Sequence, residues 1–140
     1  MDVVYYYDED LNVCPVKEYF NNYLLNKKDP DFVIRRKQKI LADIDAKINY
    51  IKDNGARPIL PISKPLHGYN FFEILNPKDS RTVIRILYFR YQDKMVLLHA
   101  FEKASVYSTI REKKKIDKQN KIAEKYLNFF KLNSKSYEKY

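Results

Sequence analysis

Arg85, His99 and Lys103 are three nitrogen-bearing side chains set among apolar neighbours in residues 82–105, TVIRILYFRYQDKMVLLHAFEKAS. Their types point to one kind of chemistry. A guanidinium is always charged and forked, so it suits a phosphate whose charge grows in a transition state. An imidazole has an unperturbed pKa near neutrality, so it can take or give a proton there. A lysine just past the end of a strand holds a flexible ammonium where the backbone of a polyanion can meet it. Each residue also has an ordinary role: Arg85 in an ion pair with Glu73 or Glu102, His99 as a satisfied core residue, and Lys103 as a solvated lysine.

The elements that must position these groups are legible from pattern. Residues 83–90 and 95–101 are rich in β-branched and aromatic side chains and are separated by Tyr91-Gln92-Asp93-Lys94, which predicts a hairpin. Its register decides the site. A three-residue loop, 91–93, sets Arg85 across from His99, whereas a two-residue loop, 92–93, sets it across from Ala100 and facing away. Because the hairpin is apolar on both faces, it should be the central pair of a sheet, covered by helices on one side and lining a cleft on the other.

Around the hairpin the chain reads in order. Residues 3–7 predict a strand closed by Asp8-Glu9-Asp10, and Pro15 opens a helix with Val16, Tyr19, Phe20, Tyr23 and Leu24 on one face. Asp29-Pro30 starts a second, long helix whose stripe, Val33, Lys37, Ile40, Leu41, Ile44, Ile48 and Ile51, runs to a stop at Asn54-Gly55. Residues 55–70 carry both glycines and three of the six prolines, so no regular element is expected there. Residues 71–75 predict a strand, and from Thr109 onward Ile116, Ala123, Tyr126, Leu127 and Phe130 recur at helical spacing. The prediction is an α+β domain, β-α-α-β-β-β-α, with helices segregated to one face of a mainly antiparallel sheet. Residues 1–130 are read as a single domain and 131–140 as a frayed tail.

Composition narrows the partners. The chain of 140 residues has a formal charge of +9, and residues 103–140 hold 11 basic and only 4 acidic side chains. The natural counterpart is a polyanion such as RNA, or an acidic protein. No apolar run approaches the roughly 20 residues of a membrane helix, and the start MDVVYYYDED lacks a basic, then apolar, leader, so a cytoplasmic place is expected without membrane association. Cys14, His67 and His99 do not make a set of soft ligands for structural zinc, and no metal or other cofactor is expected.

RILYF followed by VLLHAFEK resembles the hairpin of the HigB and RelE branch of bacterial toxin–antitoxin toxins, the phage-derived HigB-like proteins in particular. The family pattern there is approximately R-x-x-Y-F, a turn, then L-L-H-x-F-x-K-K-T. The pieces YYYDEDLNVCPVKEYF, SKPLHGYNFFEIL and the C-terminal helix occur in the family's order at about its spacing, so the resemblance covers most of the chain. It implies a RelE-like fold. It also implies the toxin of a type II toxin–antitoxin system: a metal-independent endonuclease that cuts mRNA on the ribosome with basic residues on the concave face of its sheet. The partner implied is a small antitoxin, a HigA-like helix-turn-helix protein.

Such cleavage needs a base for the 2′-hydroxyl proton, a cation for the scissile phosphate and an acid for the departing 5′-oxygen. By position in the family pattern, Arg85 falls on the arginine of the third strand, His99 on the histidine, Lys103 on the first lysine of K-K-T, and Tyr107 near a functional tyrosine. Lys64 and His67 resemble the family's K-x-L segment and are expected to touch RNA. The match has departures: Leu75 stands where the family usually writes the arginine of E-L-R, Ala104 replaces the second lysine, and residues 106–115 are longer than usual. Either Arg90, Arg111, Lys113 and Lys114 compensate as RNA-binding cations, or the chain has lost cleavage and kept binding. In the second case it is a non-catalytic RelE/ParE-fold module for nucleic acid or protein, a ParE-like topoisomerase inhibitor included.

Overall fold

The hairpin forms the centre of a six-stranded sheet. The structure, a computed structural model, describes residues 1–106 and 109–140. In chain order the elements are β1 (Asp2–Tyr6), α1 (Pro15–Tyr19) continuing as a π-helical turn (Phe20–Leu24), α2 (Asp31–Asp53), β2 (Ser63–Pro65), β3 (Phe72–Pro77), β4 (Thr82–Tyr91), β5 (Lys94–Ala104), α3 (Ile110–Leu132) and β6 (Tyr137–Lys139). The sheet order is β2-β3-β4-β5-β1-β6, and every neighbouring pair is antiparallel except β1 with β5. This is an α+β architecture. Among the described residues no helix is long and apolar enough to cross a membrane.

The two faces of the sheet carry two cores. Ile84, Ile86, Tyr88, Met95 and Leu97 pack with Val16, Leu24, Ile44, Ile48 and Ile51, so α1, its π-helical continuation and α2 cover one face. Leu87, Phe89, Val96, Leu98 and Phe101 pack with Ala123, Tyr126, Leu127 and Phe130, so α3 covers the other. The helices are therefore not segregated to one face. A pair of strands apolar on both sides leaves about 1.5–3 kcal/mol of burial unrealised per large side chain unless both sides are covered, which is what draws α3 across.

Local chemistry explains most boundaries. Gly55, at φ +90, sits just past the end of α2, where Ala56 N–H bonds the Ile51 carbonyl at 2.8 Å and closes the helix in the left-handed conformation that glycine adopts freely. Thr109 caps α3 by accepting the Glu112 amide at 3.3 Å. After Tyr19 the first helix does not continue as α: Leu25 N–H reaches the Phe20 carbonyl, an i+5 bond, and the extra residue turns Tyr23 outward to 59% exposure while Leu24 stays buried. The expected apolar stripe thus loses Tyr23.

Two further expectations are corrected at the sheet edges. The proline-rich stretch does hold a strand, β2, whose Pro65 is tolerated because an edge strand leaves one row of amides unused. The tail is not frayed. Residues 131 and 132 complete α3, and β6 pairs with β1 through Val4, Tyr5 and Tyr6, held by Tyr137 against Phe130 and by Glu138, which pairs with Lys17 and accepts from the Cys14 thiol at 3.4 Å.

Candidate functional site

Register sets the site, and it follows neither simple loop count. The loop is the two residues Gln92 and Asp93, with Gln92 at φ 53 as primed hairpin turns require. A β-bulge between Leu87 and Tyr88 then gives β5 one extra residue, Leu98. Arg85 consequently pairs with Phe101, and Leu87 with His99. The bulge turns His99 onto the face that already holds Arg85, so both side chains point toward α3: Arg85 Nη1 donates to Asn120 Oδ1 at 3.2 Å, and His99 Nε2 lies 2.6 Å from Gln119 Oε1.

Arg85 is 6% exposed and Glu73, its ion-pair partner, 1%. The pairing arises from the β3–β4 ladder, in which Leu75 lies opposite Arg85 and Glu73 lies one same-face step along. Phe101 provides a ring 5.6 Å from Arg85 Cζ. Lys64 enters from β2, directly across from Glu73, with its ammonium 3.3 Å from the same carboxylate and its side chain 52% exposed. Lys103, two residues beyond Phe101 on β5, completes the group. Its pKa is lowered, first by burial and then by Arg85 and Lys64, with Glu73 opposing. Three cations from three strands thus gather around one buried carboxylate; Lys64 and Arg85 both pair with it, and the cluster keeps more positive than negative charge.

His99 is half-buried under α3. Its ring lies against Phe101 and Tyr126 at 5.6 and 5.8 Å, and burial depresses its pKa despite the Gln119 contact, so the imidazole is neutral near pH 7. Nδ1 is buried without a partner among the described residues. His99 also borders a cleft of about 600 Å³ whose walls include Tyr19, Tyr23, Phe101, Gln119 and Tyr126. The cleft exists because β1 stops pairing at Tyr5 and Leu97, while β4 follows β5 to Ala104. On its rim Glu102 is held by Lys78 and by the Tyr19 hydroxyl, both at 2.8 Å.

The remaining sequence candidates scatter. Arg90 bonds the carbonyls of Gln92 and Gly55 at 3.0 and 3.1 Å, tying the hairpin turn to the end of α2, and lies away from Arg85. His67 is exposed in the loop between β2 and β3, and Arg111, Lys113 and Lys114 are exposed on the first turns of α3. Tyr107 lies outside the described residues. Asn120 and Gln119 were not foreseen, although a signal exists: Asn120 occupies an apolar phase of α3, four residues after Ile116 and three before Ala123, and a polar side chain there needs a buried partner. Among the described residues no group of three or more His, Cys, Asp or Glu side chains is placed to hold a metal ion. Set against family models, curated proteins and solved structures, the chain matches none of them.

Proposed function

We propose that this chain is a toxin of the HigB/RelE kind, a metal-independent endoribonuclease that stops translation by cutting mRNA on the ribosome and is neutralised by a small HigA-like helix-turn-helix antitoxin. The observation that carries the proposal is the convergence of Lys64, Arg85 and Lys103 around Glu73, with more positive charge than its carboxylate neutralises. A RelE-like topology is part of the proposal. What supports it is the chain order β1, α1, α2, β3, β4, β5, α3, with β2 and β6 as short additions at the two edges.

In this reading a scissile phosphate docks at the exposed mouth of the cluster. Lys64 and the Arg85 guanidinium, oriented by Glu73 and Asn120, take up the charge that develops on it. Lys103 moves a proton: burial and neighbouring cations lower its pKa, which raises the share of neutral amine able to accept the 2′-hydroxyl proton. Neutral His99 positions the substrate side of Phe101 and Gln119. A second reading, the non-catalytic RelE/ParE-fold module, is favoured by one specific observation: α3 lies over the face that holds Arg85, and that guanidinium is already committed to Glu73 and Asn120.

Primer extension on messages from cells briefly expressing the protein separates the two. The nuclease should leave discrete new 5′ ends in translated messages, and Lys103→Ala and Arg85→Lys should reduce them about a hundred- to a thousand-fold, the usual cost of a charge-stabilising or proton-moving group. Arg85→Lys keeps the buried charge opposite Glu73 while removing the fork. If both variants fold and cut as the parent does, the catalytic assignment fails; if the parent itself leaves no new ends while arresting growth, the binding-module reading replaces it.

A further inference from the structure

We infer that Lys114, Lys118, Lys121 and Lys125 form a track for the phosphodiester backbone of RNA, running along the outer face of α3 to the cleft beside Arg85. The inference rests on the RNA-binding half of the proposed function and is independent of whether the chain cleaves. At 100° per residue the four lysines fall within an arc of roughly 60°, nearly opposite the face formed by Asn120, Ala123, Leu127 and Phe130. With a rise of 1.5 Å per residue they cover about 16 Å of helix.

All four are exposed, and none is in a salt bridge among the described residues. Consecutive members are three or four residues apart, so like charges are neighbours along the whole row, an arrangement that weakens an isolated helix. Asp117, three residues from Lys114 and four from Lys121, and Glu124, three from Lys121, offset part of it, but two carboxylates against four ammonium groups leave the row net positive. Asp117 and Glu124 fall to one side of the arc by the same 100° step. The row lines a shallow surface groove of about 480 Å³ together with Asp117 and Ile122.

The track has a destination. Lys118 also borders a second cleft, about 340 Å³, where Lys115, Gln119 and Phe101 stand with the carboxylates of Glu102 and Glu112. The Phe101 ring there is the one that Arg85 overlies at 5.6 Å. An RNA strand laid along the row is therefore led to the Phe101 ring, at the edge of the cluster that holds Arg85. Lys113 lies off this arc, so the helix geometry selects among the lysines of the run REKKKIDKQNK where the sequence alone does not.

The test is a titration of the full chain with a fluorescent, unstructured 2′-O-methyl oligoribonucleotide, which binds as RNA but lacks the hydroxyl needed for cleavage. The variant Lys114→Gln/Lys118→Gln/Lys121→Gln/Lys125→Gln is compared with Lys27→Gln/Arg35→Gln/Arg36→Gln/Lys39→Gln, which removes the same charge from exposed positions in and before α2, on the other side of the sheet. Four phosphate contacts on a single strand contribute about 3 to the slope of log affinity against log salt, so between about 50 and 200 mM salt the parent should weaken about fifty-fold more than the α3 variant. The α2 variant should keep the parent's slope. Equal slopes for the parent and the α3 variant, or equal losses in the two variants, overturn the track and leave the row a solvated face. A chain that shows the α3-dependent slope and cuts no message keeps the track and loses only the nuclease.

Discussion

Glu73→Gln is the sharpest perturbation of the site, because it removes one charge and almost no volume. Glu73 is 1% exposed and Arg85 6%, so the change strands a guanidinium that water does not reach. Removing one member of a buried ion pair typically costs about 3–5 kcal/mol. Glutamine keeps an oxygen for the guanidinium, while Lys64 and Lys103 lose the carboxylate that offsets their repulsion, so a loss near about 3 kcal/mol is expected. That is a large part of the roughly 5–15 kcal/mol by which a domain is stable. With a urea m of about 2 kcal/mol/M the midpoint should fall by about 1.5 M at unchanged m. Two further measurements tie the loss to charge. The double variant Glu73→Leu/Arg85→Met should recover most of it, because no buried charge remains. Inorganic phosphate should raise the midpoint of Glu73→Gln more than that of the parent, since Lys64, Arg85 and Lys103 then lack their anion. A Glu73→Gln midpoint within about 0.25 M of the parent's, or about 0.5 kcal/mol, would refute the reasoning.

Two other outcomes are expected. The folded His99 imidazole titrates below its unfolded value of about 6.5, so the unfolded chain binds more protons between the two values; its contribution therefore rises with pH through that window and is flat above it, and His99→Gln should abolish that part of the parent's pH–stability curve. An unchanged difference between the two curves from pH 5 to 7 would contradict the burial of this group. Deleting residues 137–140 removes β6, the Tyr140 ring 5.3 Å from Tyr5, and Glu138 from Cys14, whose thiol burial and the Glu138 contact push up to about 12. The shortened chain should react with a thiol reagent about tenfold faster or more, whereas an equal rate would mean that β6 does not shield Cys14.

Periodicity determined much of this protein without help from tertiary contacts. The β-branched and aromatic runs 83–90 and 95–101 placed a two-stranded core, the 3.6-residue recurrence of Ile116, Ala123, Tyr126, Leu127 and Phe130 placed the last helix, and Asn54-Gly55 ended the long one. These signals are local, arising from the pitch of one element or the freedom of one residue. The candidate site was legible only as a set of residue types, Arg85, His99, Lys103 and Lys64, and the Glu73 ion pair as one of Arg85's two candidate partners. What the pattern left open was everything that depends on alignment between elements. The bulge at Leu98 moved Arg85 opposite Phe101 and turned His99 onto its face, because one inserted residue reverses every side chain beyond it. The choice of sheet face for α3 brought Asn120 and Gln119 to the site, and the pairing of β6 with β1 ordered a polar tail. Those outcomes are set by which apolar surfaces remain uncovered after the local elements form, and only the assembled sheet defines them.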